Sequence, residues 1–345
     1  MVKIGVIGYG YWGPNLVRNF FGTPGCIVKS VSDSRHERLE QLRKIFPSIE
    51  GILDAEEILK DSSIDAVVIA TPVSTHFKLA RKALEKGKHV LLEKPMTSSV
   101  EEAEILIDLA KQKNLLLMVD HTFLYTGAVQ KMKKLIENQE LGSIKYLDST
   151  RINLGLFQSD INVLWDLAPH DLSILSYLVD EEPYSVNAKG VTHTENGIEN
   201  IAYLTVNFLS GLIAHFNCSW TSPVKVRMML IGGDKKMILY NDLEPTEKIK
   251  VYDTGYSHTS DMERQQVMVD YRTGDIHVPK LDTTEALAGM AKDFINCIRE
   301  KKQPLSSSKL GLEVVRLLEA SSKSLERQGQ EVILSTVDQP ALTES

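Results

Sequence analysis

The stretch Val2-Lys3-Ile4-Gly5-Val6-Ile7-Gly8-Tyr9-Gly10-Tyr11-Trp12-Gly13 decides how the first part of the chain is read. Lys3–Ile7 is a short, nearly continuous apolar run, the pattern of a strand buried on both faces of a parallel sheet. It runs into G-x-G-x-x-G, and an apolar helical pattern, Leu16–Phe21, follows. The glycine motif alone is a weak signal. A strand before it and a helix after it are what its chemistry requires. Gly8 permits a tight turn, Gly10 keeps a Cβ out of the path of a pyrophosphate, and Gly13 allows close helix–strand packing. Tyr9, Tyr11 and Trp12 lie along the same turn. The helix N-terminus then offers N–H groups and a positive dipole end to phosphates.

The next apolar run, Val28–Ser32, ends at Asp33, which lies 20 residues after Gly13. A carboxylate there accepts hydrogen bonds from ribose hydroxyls and repels a 2′-phosphate, which selects NAD over NADP. Ser34 and Arg35 sit beside it, and Arg35 is the feature that could tolerate a phosphate. Ala70-Thr71-Pro72 closes another apolar run. Carboxyl ends of strands face the ligand crevice in this architecture, so Thr71 and Pro72 are expected to line the cofactor. His76 is either a cofactor contact or a polar residue in the first turn of a helix.

Working outward, apolar runs at Lys3–Ile7, Ile27–Ser32, Ala66–Ala70, His89–Leu92 and Leu115–Val119 alternate with amphipathic segments near 35–46, 54–60, 75–86 and 99–113. Strand–helix alternation predicts a doubly wound α/β Rossmann domain over residues 1–121. From 122 to 345 the texture is different. Helical patterns at about 126–139 and 163–179 precede β-rich stretches at Val186–His193, Ala202–Leu209, Leu212–Cys218, Val226–Ile231, Lys236–Tyr240 and Lys248–Val251. Asn196-Gly197, Ser210-Gly211 and Gly232-Gly233 supply turns. This predicts a C-terminal α+β domain with a large, mostly antiparallel open sheet, serving substrate binding and oligomerisation. A polar, irregular stretch at 253–282 and helices at about 285–300 and 309–328 complete it. Helices on one face of such a sheet leave the other to a second copy or to water, and a homo-oligomer, dimer or tetramer, is the expected solution.

The 345 residues carry a formal net charge of −7 and are 43% hydrophobic, an ordinary globular balance. The acidic balance argues against nucleic acid or an anionic membrane as partner. Cys26, Cys218 and Cys297 are far apart, without metal-finger spacing, and read as reduced packing thiols; no metal site is expected. No signal-peptide pattern or membrane-length apolar run is present, which gives a cytoplasmic expectation.

Two segments carry candidate chemistry. Glu93-Lys94-Pro95 directly follows an apolar run, and Pro95 restricts Lys94 to extended or turn backbone. Glu93 and Lys94 would stand at the cofactor's edge. An ammonium is disfavoured beside a positively charged nicotinamide, so Lys94 can polarise a substrate oxygen or join a proton relay. The other reading is a surface lysine. In Trp165-Asp166-Leu167-Ala168-Pro169-His170-Asp171, apolar residues resume at Leu172, Ile174, Leu175 and Leu178. Pro169 then fits only in the first turn of a helix, with Asp166 at or near its N-cap. His170 near a helix N-terminus tends to stay neutral and can accept an alcohol proton, with Asp166 orienting substrate or imidazole. The other reading is a capping Asp and a core His.

Glu-Lys-Pro after a Rossmann strand, followed downstream by Asp-x-x-x-His-Asp opening a helix, resembles the glucose–fructose oxidoreductase/inositol dehydrogenase (Gfo/Idh/MocA) family along essentially the whole chain. The resemblance implies an NAD-dependent dehydrogenase acting on a CH–OH group. It implies Lys94, Asp166 and His170 as the catalytic group, with His170 the base and Lys94 its electrostatic partner. It also implies oligomers built through the second sheet. Gly8–Asn15 and Arg151–Asp171 are similar to the family's nucleotide-sugar 3-dehydrogenases. That implies oxidation of the C3 hydroxyl of a UDP-GlcNAc-type nucleotide sugar to a 3-keto sugar for a later aminotransferase. Tyr125, Arg151, Asn153 and Asn162 are then candidate substrate contacts. Arg151 would pair with a diphosphate or serve as an ordinary strand arginine. The alternatives are a free polyol or inositol dehydrogenase, a 3-ketosugar reductase, and a non-catalytic nicotinamide-binding regulator.

Overall fold

The computed structural model describes residues 1–155, 157–158, 160–195, 197–253, 255–257, 270–272 and 274–334. The expected turn residue Asn196, and 254, 258–269 and 273 of the irregular stretch, lie outside the described residues. The chain forms two compact units, Met1–Thr126 with Thr283–Arg316, and Gly127–Asp282 with Leu317–Ser345.

In the first unit the strands are β1 (Val2–Ile7), β2 (Cys26–Ser32), β3 (Glu50–Ile52), β4 (Ala66–Ile69), β5 (His89–Glu93) and β6 (Leu117–Asp120). The helices between them are α1 (Gly13–Phe21), α2 (His36–Ile45), α3 (Ala55–Lys60), α4 (His76–Glu85) and α5 (Val100–Gln112). All strand pairs are parallel, in the order β3-β2-β1-β4-β5-β6. The order reverses between β1 and β4, the switch point where such sheets open a crevice beyond their carboxyl ends. Five of the six strands coincide with the apolar runs. The sixth, β3, is three residues of mixed polarity, too short to give a hydrophobic signal.

The second unit opens with α6 (Gly127–Glu137), β7 (Ile144–Leu154) and α7 (Val163–Leu178). Then follow β8 (Ser185–Val191), β9 (Ile201–Asn207), β10 (Ile213–Ser219), β11 (Thr221–Gly233), β12 (Met237–Asn241), β13 (Ile249–Tyr252), β14 (Gly255–Ser257), β15 (Asp270–Arg272) and β16 (Ile276–His277). The last elements of the chain are α8 (Ala286–Glu300), α9 (Ser308–Glu326) and β17 (Val332–Ile333). A nine-stranded sheet runs β16-β13-β12-β11-β7-β10-β9-β8-β17, antiparallel at every neighbouring pair except β7–β10. β14 and β15 pair separately, within the stretch expected to be irregular. The inner face of the sheet buries Leu147, Leu204, Val206, Ala214, Phe216, Ile231 and Ile238, and α7 packs on β7, β9 and β10.

The central strand β7 has no counterpart in the sequence reading. Its inward positions are Leu147, Ser149 and Arg151, all buried. Polar residues at two of these three positions erase the apolar alternation that identifies a strand.

Residues 283–316 group with the first unit, although the sequence reading placed one cut near 121 and assigned all later residues to the second domain. The reason is in α8. Leu287, Met290, Ala291, Phe294 and Ile295 recur at helical spacing and join the core built by Val2, Ile4, Val6, Leu16, Val17, Phe20, Val28 and Val31. The Phe20 and Phe294 rings meet edge to face at 6.0 Å, and Arg18 Nη1 donates to Glu285 Oε2 at 3.0 Å. All three cysteines are buried and unbonded to one another. Burial pushes the Cys26 and Cys297 thiols up to about 12, consistent with packing rather than chemistry.

Candidate active site

The glycine turn closes over the carboxyl end of β1. Gly8 has φ +99°, and a Cβ there would lie 2.5 Å from the Ala70 carbonyl oxygen. A Cβ on Gly13 would lie 2.4 Å from the Gly8 carbonyl oxygen. Both are therefore glycine for steric reasons. Gly10 differs, because a Cβ there would meet nothing closer than Arg35 Nη2 at 3.6 Å. The space over Gly10 is the room a dinucleotide backbone contact needs. No side chain caps α1, and its first turn contains no acid, so its positive end stays available to a phosphate. The residues present fit a bound dinucleotide. The Tyr9 side chain is buried in the core, so only its backbone belongs to the turn. Tyr11 and Trp12 are exposed and meet edge to face at 5.7 Å.

Asp33 is organised by the same turn. Its Oδ2 accepts the Tyr9 N–H at 2.8 Å, and its Oδ1 accepts the Arg35 N–H and Nε at 3.0 Å each. Burial alone would lift this carboxyl, yet the Arg35 side chain and the Arg35 and Tyr9 N–H groups together hold it below the usual range. Asp33 is thus an anion at neutral pH. Arg35 is turned onto that anion rather than standing ready for a phosphate. Ser34 lies between them, exposed.

At the ends of β4 and β5, His76 is a strut. Its Nε2 lies 2.8 Å from the Thr71 carbonyl oxygen and its Nδ1 lies 3.0 Å from the Pro95 carbonyl oxygen. Burial lowers its pKa against the pull of these carbonyls. The ring ties the Thr71-Pro72 segment to Lys94-Pro95, so its side chain is committed to the protein's own backbone. Thr71 Oγ1 bonds Thr75 Oγ1 at 2.6 Å, and Thr75 Oγ1 donates to the Pro72 carbonyl at 2.7 Å. Lys94 follows β5 directly, before a cis Lys94–Pro95 bond. Its N–H donates to Glu93 Oε2 at 3.0 Å. Glu93 itself is buried, beside Asp120 of β6.

In the second unit, α7 starts at Val163, as its helical pattern predicts, but its cap is not Asp166. Asn162 is its N-cap, with Oδ1 accepting from Leu164 N at 3.1 Å and Trp165 N at 3.2 Å. Asp166 is therefore inside the first turn rather than at the cap. Pro169 is in the helix interior, not the first turn, and leaves the helix one N–H short. Asp166 and His170 remain one turn apart on one helix face. Trp220 Nε1 donates to Asp166 Oδ2 at 2.9 Å, and Phe157 lies 5.8 Å from the Trp220 ring. Asn153 Nδ2 is close to Gly155, where an added Cβ would also meet Trp220. Trp220 was not singled out from the sequence, since a lone Trp between two strands carries no motif.

Three expected substrate contacts have other work. Arg151 is buried and forms a two-pronged pair with Asp171, Nε to Oδ2 at 2.8 Å and Nη2 to Oδ1 at 2.7 Å. It is the strand-arginine alternative, and the second Asp of the motif is its partner. Tyr125 is largely buried. Its hydroxyl donates to Asp293 Oδ2 at 2.7 Å and accepts from Ser306 N at 3.3 Å. Asn162 is occupied as a helix cap.

Residues 2–121 match the Gfo/Idh/MocA model described as an oxidoreductase family with an NAD-binding Rossmann fold, and residues 129–239 match that family's C-terminal domain. The chain belongs to the Gfo/Idh/MocA family. It is an NAD-binding oxidoreductase. Among its relatives is a UDP-N-acetylglucosamine 3-dehydrogenase from Acidithiobacillus ferrooxidans, 29% identical over 86% of this chain and 88% of the relative. A solved structure of that enzyme superposes with TM-score 0.81 at 25% identity, covering 95% of this chain and 99% of the other. A myo-inositol 2-dehydrogenase from Thermotoga maritima is 23% identical over 95% of this chain and 97% of its own. Among the described residues no helix is long and apolar enough to cross a membrane.

Proposed function

We propose that this family member oxidises the C3 hydroxyl of a UDP-GlcNAc-type nucleotide sugar to the 3-keto sugar, with NAD as acceptor, supplying a later aminotransferase. The observation that carries this reading is the near full-length similarity to a UDP-N-acetylglucosamine 3-dehydrogenase, joined to the Lys94 and Asp166–His170 segments. Bound NAD supplies the hydride acceptor. His170 takes the hydroxyl proton at its imidazole as the C–H bond breaks, so proton and hydride leave the same alcohol. Lys94 stabilises the developing negative charge on the substrate oxygen. Asp166, held by the Trp220 indole, orients the sugar or the imidazole. Asp33 selects NAD by accepting from the adenosine ribose. Asn153, near Trp220 and Gly155, is the sugar contact kept from the sequence reading; Arg151 does not supply the diphosphate contact.

The second reading is a free polyol as substrate, supported by relatives named inositol dehydrogenases. NAD reduction across UDP-GlcNAc, UDP-GlcNAcA, dTDP-sugars and myo-inositol, with mass spectrometry of the product, separates the two. Turnover of UDP-GlcNAc with loss of two hydrogens is the expected result. Turnover of inositol alone moves the function to the second reading. Lys94→Ala and His170→Ala are each expected to lower kcat by about 10²-fold or more.

A further inference from the structure

Glu93 and Asp120 stand opposite each other in register at the carboxyl ends of β5 and β6. In-register neighbours on adjacent strands leave the sheet on the same face, with backbones about 4.8 Å apart. Both side chains are buried. Ordinary donors reach only part of this carboxyl pair. Lys94 N–H serves Glu93 Oε2 at 3.0 Å, and the Thr122 hydroxyl serves Asp120 Oδ1. Asp120 Oδ2 is buried with no ordinary donor among the described residues. The Glu93 and Asp120 carboxyls also hydrogen-bond to each other, which requires a proton on one of them. Two ionised carboxylates at this separation, out of water, would repel each other.

We propose that Glu93 and Asp120 share one proton at neutral pH, and that the resulting singly charged pair positions and counter-charges Lys94. Burial pushes the Glu93 carboxyl well up, reinforced by Asp120 and only partly opposed by Lys94. Burial lifts Asp120 to about 6, against hydrogen bonds from Thr122 and Glu93 and the charge of Lys94. The other titratable neighbours cannot replace Lys94 as the counter-charge. His121 is buried, with neither ring nitrogen hydrogen-bonded among the described residues. Burial, then Lys94, pushes it down to about 3, so it is neutral. Tyr125 is engaged with Asp293. Asp120 thus acts on the chemistry through Lys94 and is a positioning residue.

The proton-sharing half of the proposal does not depend on the substrate; the positioning half rests on the role given to Lys94. Infrared difference spectra of wild type minus Glu93→Gln at neutral pH are expected to show the carbonyl band of a protonated carboxylic acid. Should that variant not fold, a pH titration of the wild type reads the same band, persisting above neutrality and vanishing only in alkali. Absence of the band overturns the shared proton. For positioning, Asp120→Asn is expected to move the alkaline limb of the kcat/KM profile down by about one unit, and Asp120→Glu to restore it. An unmoved limb overturns the positioning role. A chain inactive on every sugar tested sinks the proposed function, while the infrared band still decides the pair.

Discussion

At the scale of single residues, Asp33 is an anion whose one oxygen accepts the Tyr9 N–H of the glycine turn while Arg35 lies on the other. Gly8 and Gly13 do what spacing implies, because backbone sterics leave little choice. Arg151 and Tyr125 do not, because sequence cannot show that Asp171 and Asp293 have already claimed them. Cofactor choice at Asp33 has a direct test. Asp33→Ser removes the anion that repels a 2′-phosphate and releases Arg35, so the ratio of kcat/KM for NAD over NADP is expected to fall by about tenfold to a hundredfold, the scale of a charged hydrogen bond. An unchanged ratio would place cofactor choice elsewhere. His121 gives a pH test. Its folded pKa lies below its unfolded value, so the unfolded chain binds the extra proton and stability falls as pH drops from about 6.5 toward 3. Asp120 titrates in part of this window with the opposite sign, since its folded pKa is raised. The informative quantity is therefore a difference. Relative to wild type, His121→Leu should lose acid-induced destabilisation with a slope approaching 1.4 kcal/mol per pH unit, read from denaturant midpoints at each pH.

At the scale of elements, legibility followed the hydrophobic period. Five of the six parallel strands are apolar runs and α8 repeats apolar residues at helical spacing, and these stand where their patterns put them. β7 hides because its core-facing positions hold Ser149 and the Arg151–Asp171 pair, a polar centre that only tertiary pairing can satisfy. The cap of α7 is not legible because Pro169 reads as a first-turn residue with Asp166 before it, whereas Asn162 caps the helix and Pro169 lies in its interior. The buried pair makes the sharper prediction. Removing one partner strands a charge in the core, so Arg151→Ala is expected to cost about 3–5 kcal/mol, while an apolar replacement of both, Arg151→Met with Asp171→Leu, costs much less. Thermal and chemical unfolding measure both. If Arg151→Ala instead leaves stability intact and raises KM for the nucleotide sugar alone, the arginine is a substrate contact after all.

At the scale of the whole molecule, the second sheet has one face to account for. Its inner positions are sealed by α7 and the buried residues beneath it. Its outer positions include Tyr146, Tyr203 and Ile213, which are 39%, 48% and 46% exposed. Tyr146 and Ile213 are register partners across β7 and β10, and Tyr203 stacks on His215 at 6.0 Å, so these apolar groups lie within one surface rather than scattered. Asp148, opposite His215, and Lys189, opposite Tyr203, share this face, and an isologous interface between two copies uses such a mixed patch, since each copy offers the same one to the other. The proposed homo-oligomer therefore makes a specific demand. Introducing like charge at the centre, Ile213→Lys with Tyr146→Lys, puts at least four ammonium groups into a two-fold contact and should shift the mass measured by light scattering toward the monomer. The same substitutions touch neither the dinucleotide turn nor α7, so NAD binding by thermal shift should survive. A wild-type chain that is already monomeric at micromolar concentration, or a double variant that keeps the wild-type mass, would mean that water, not a second copy, covers this face.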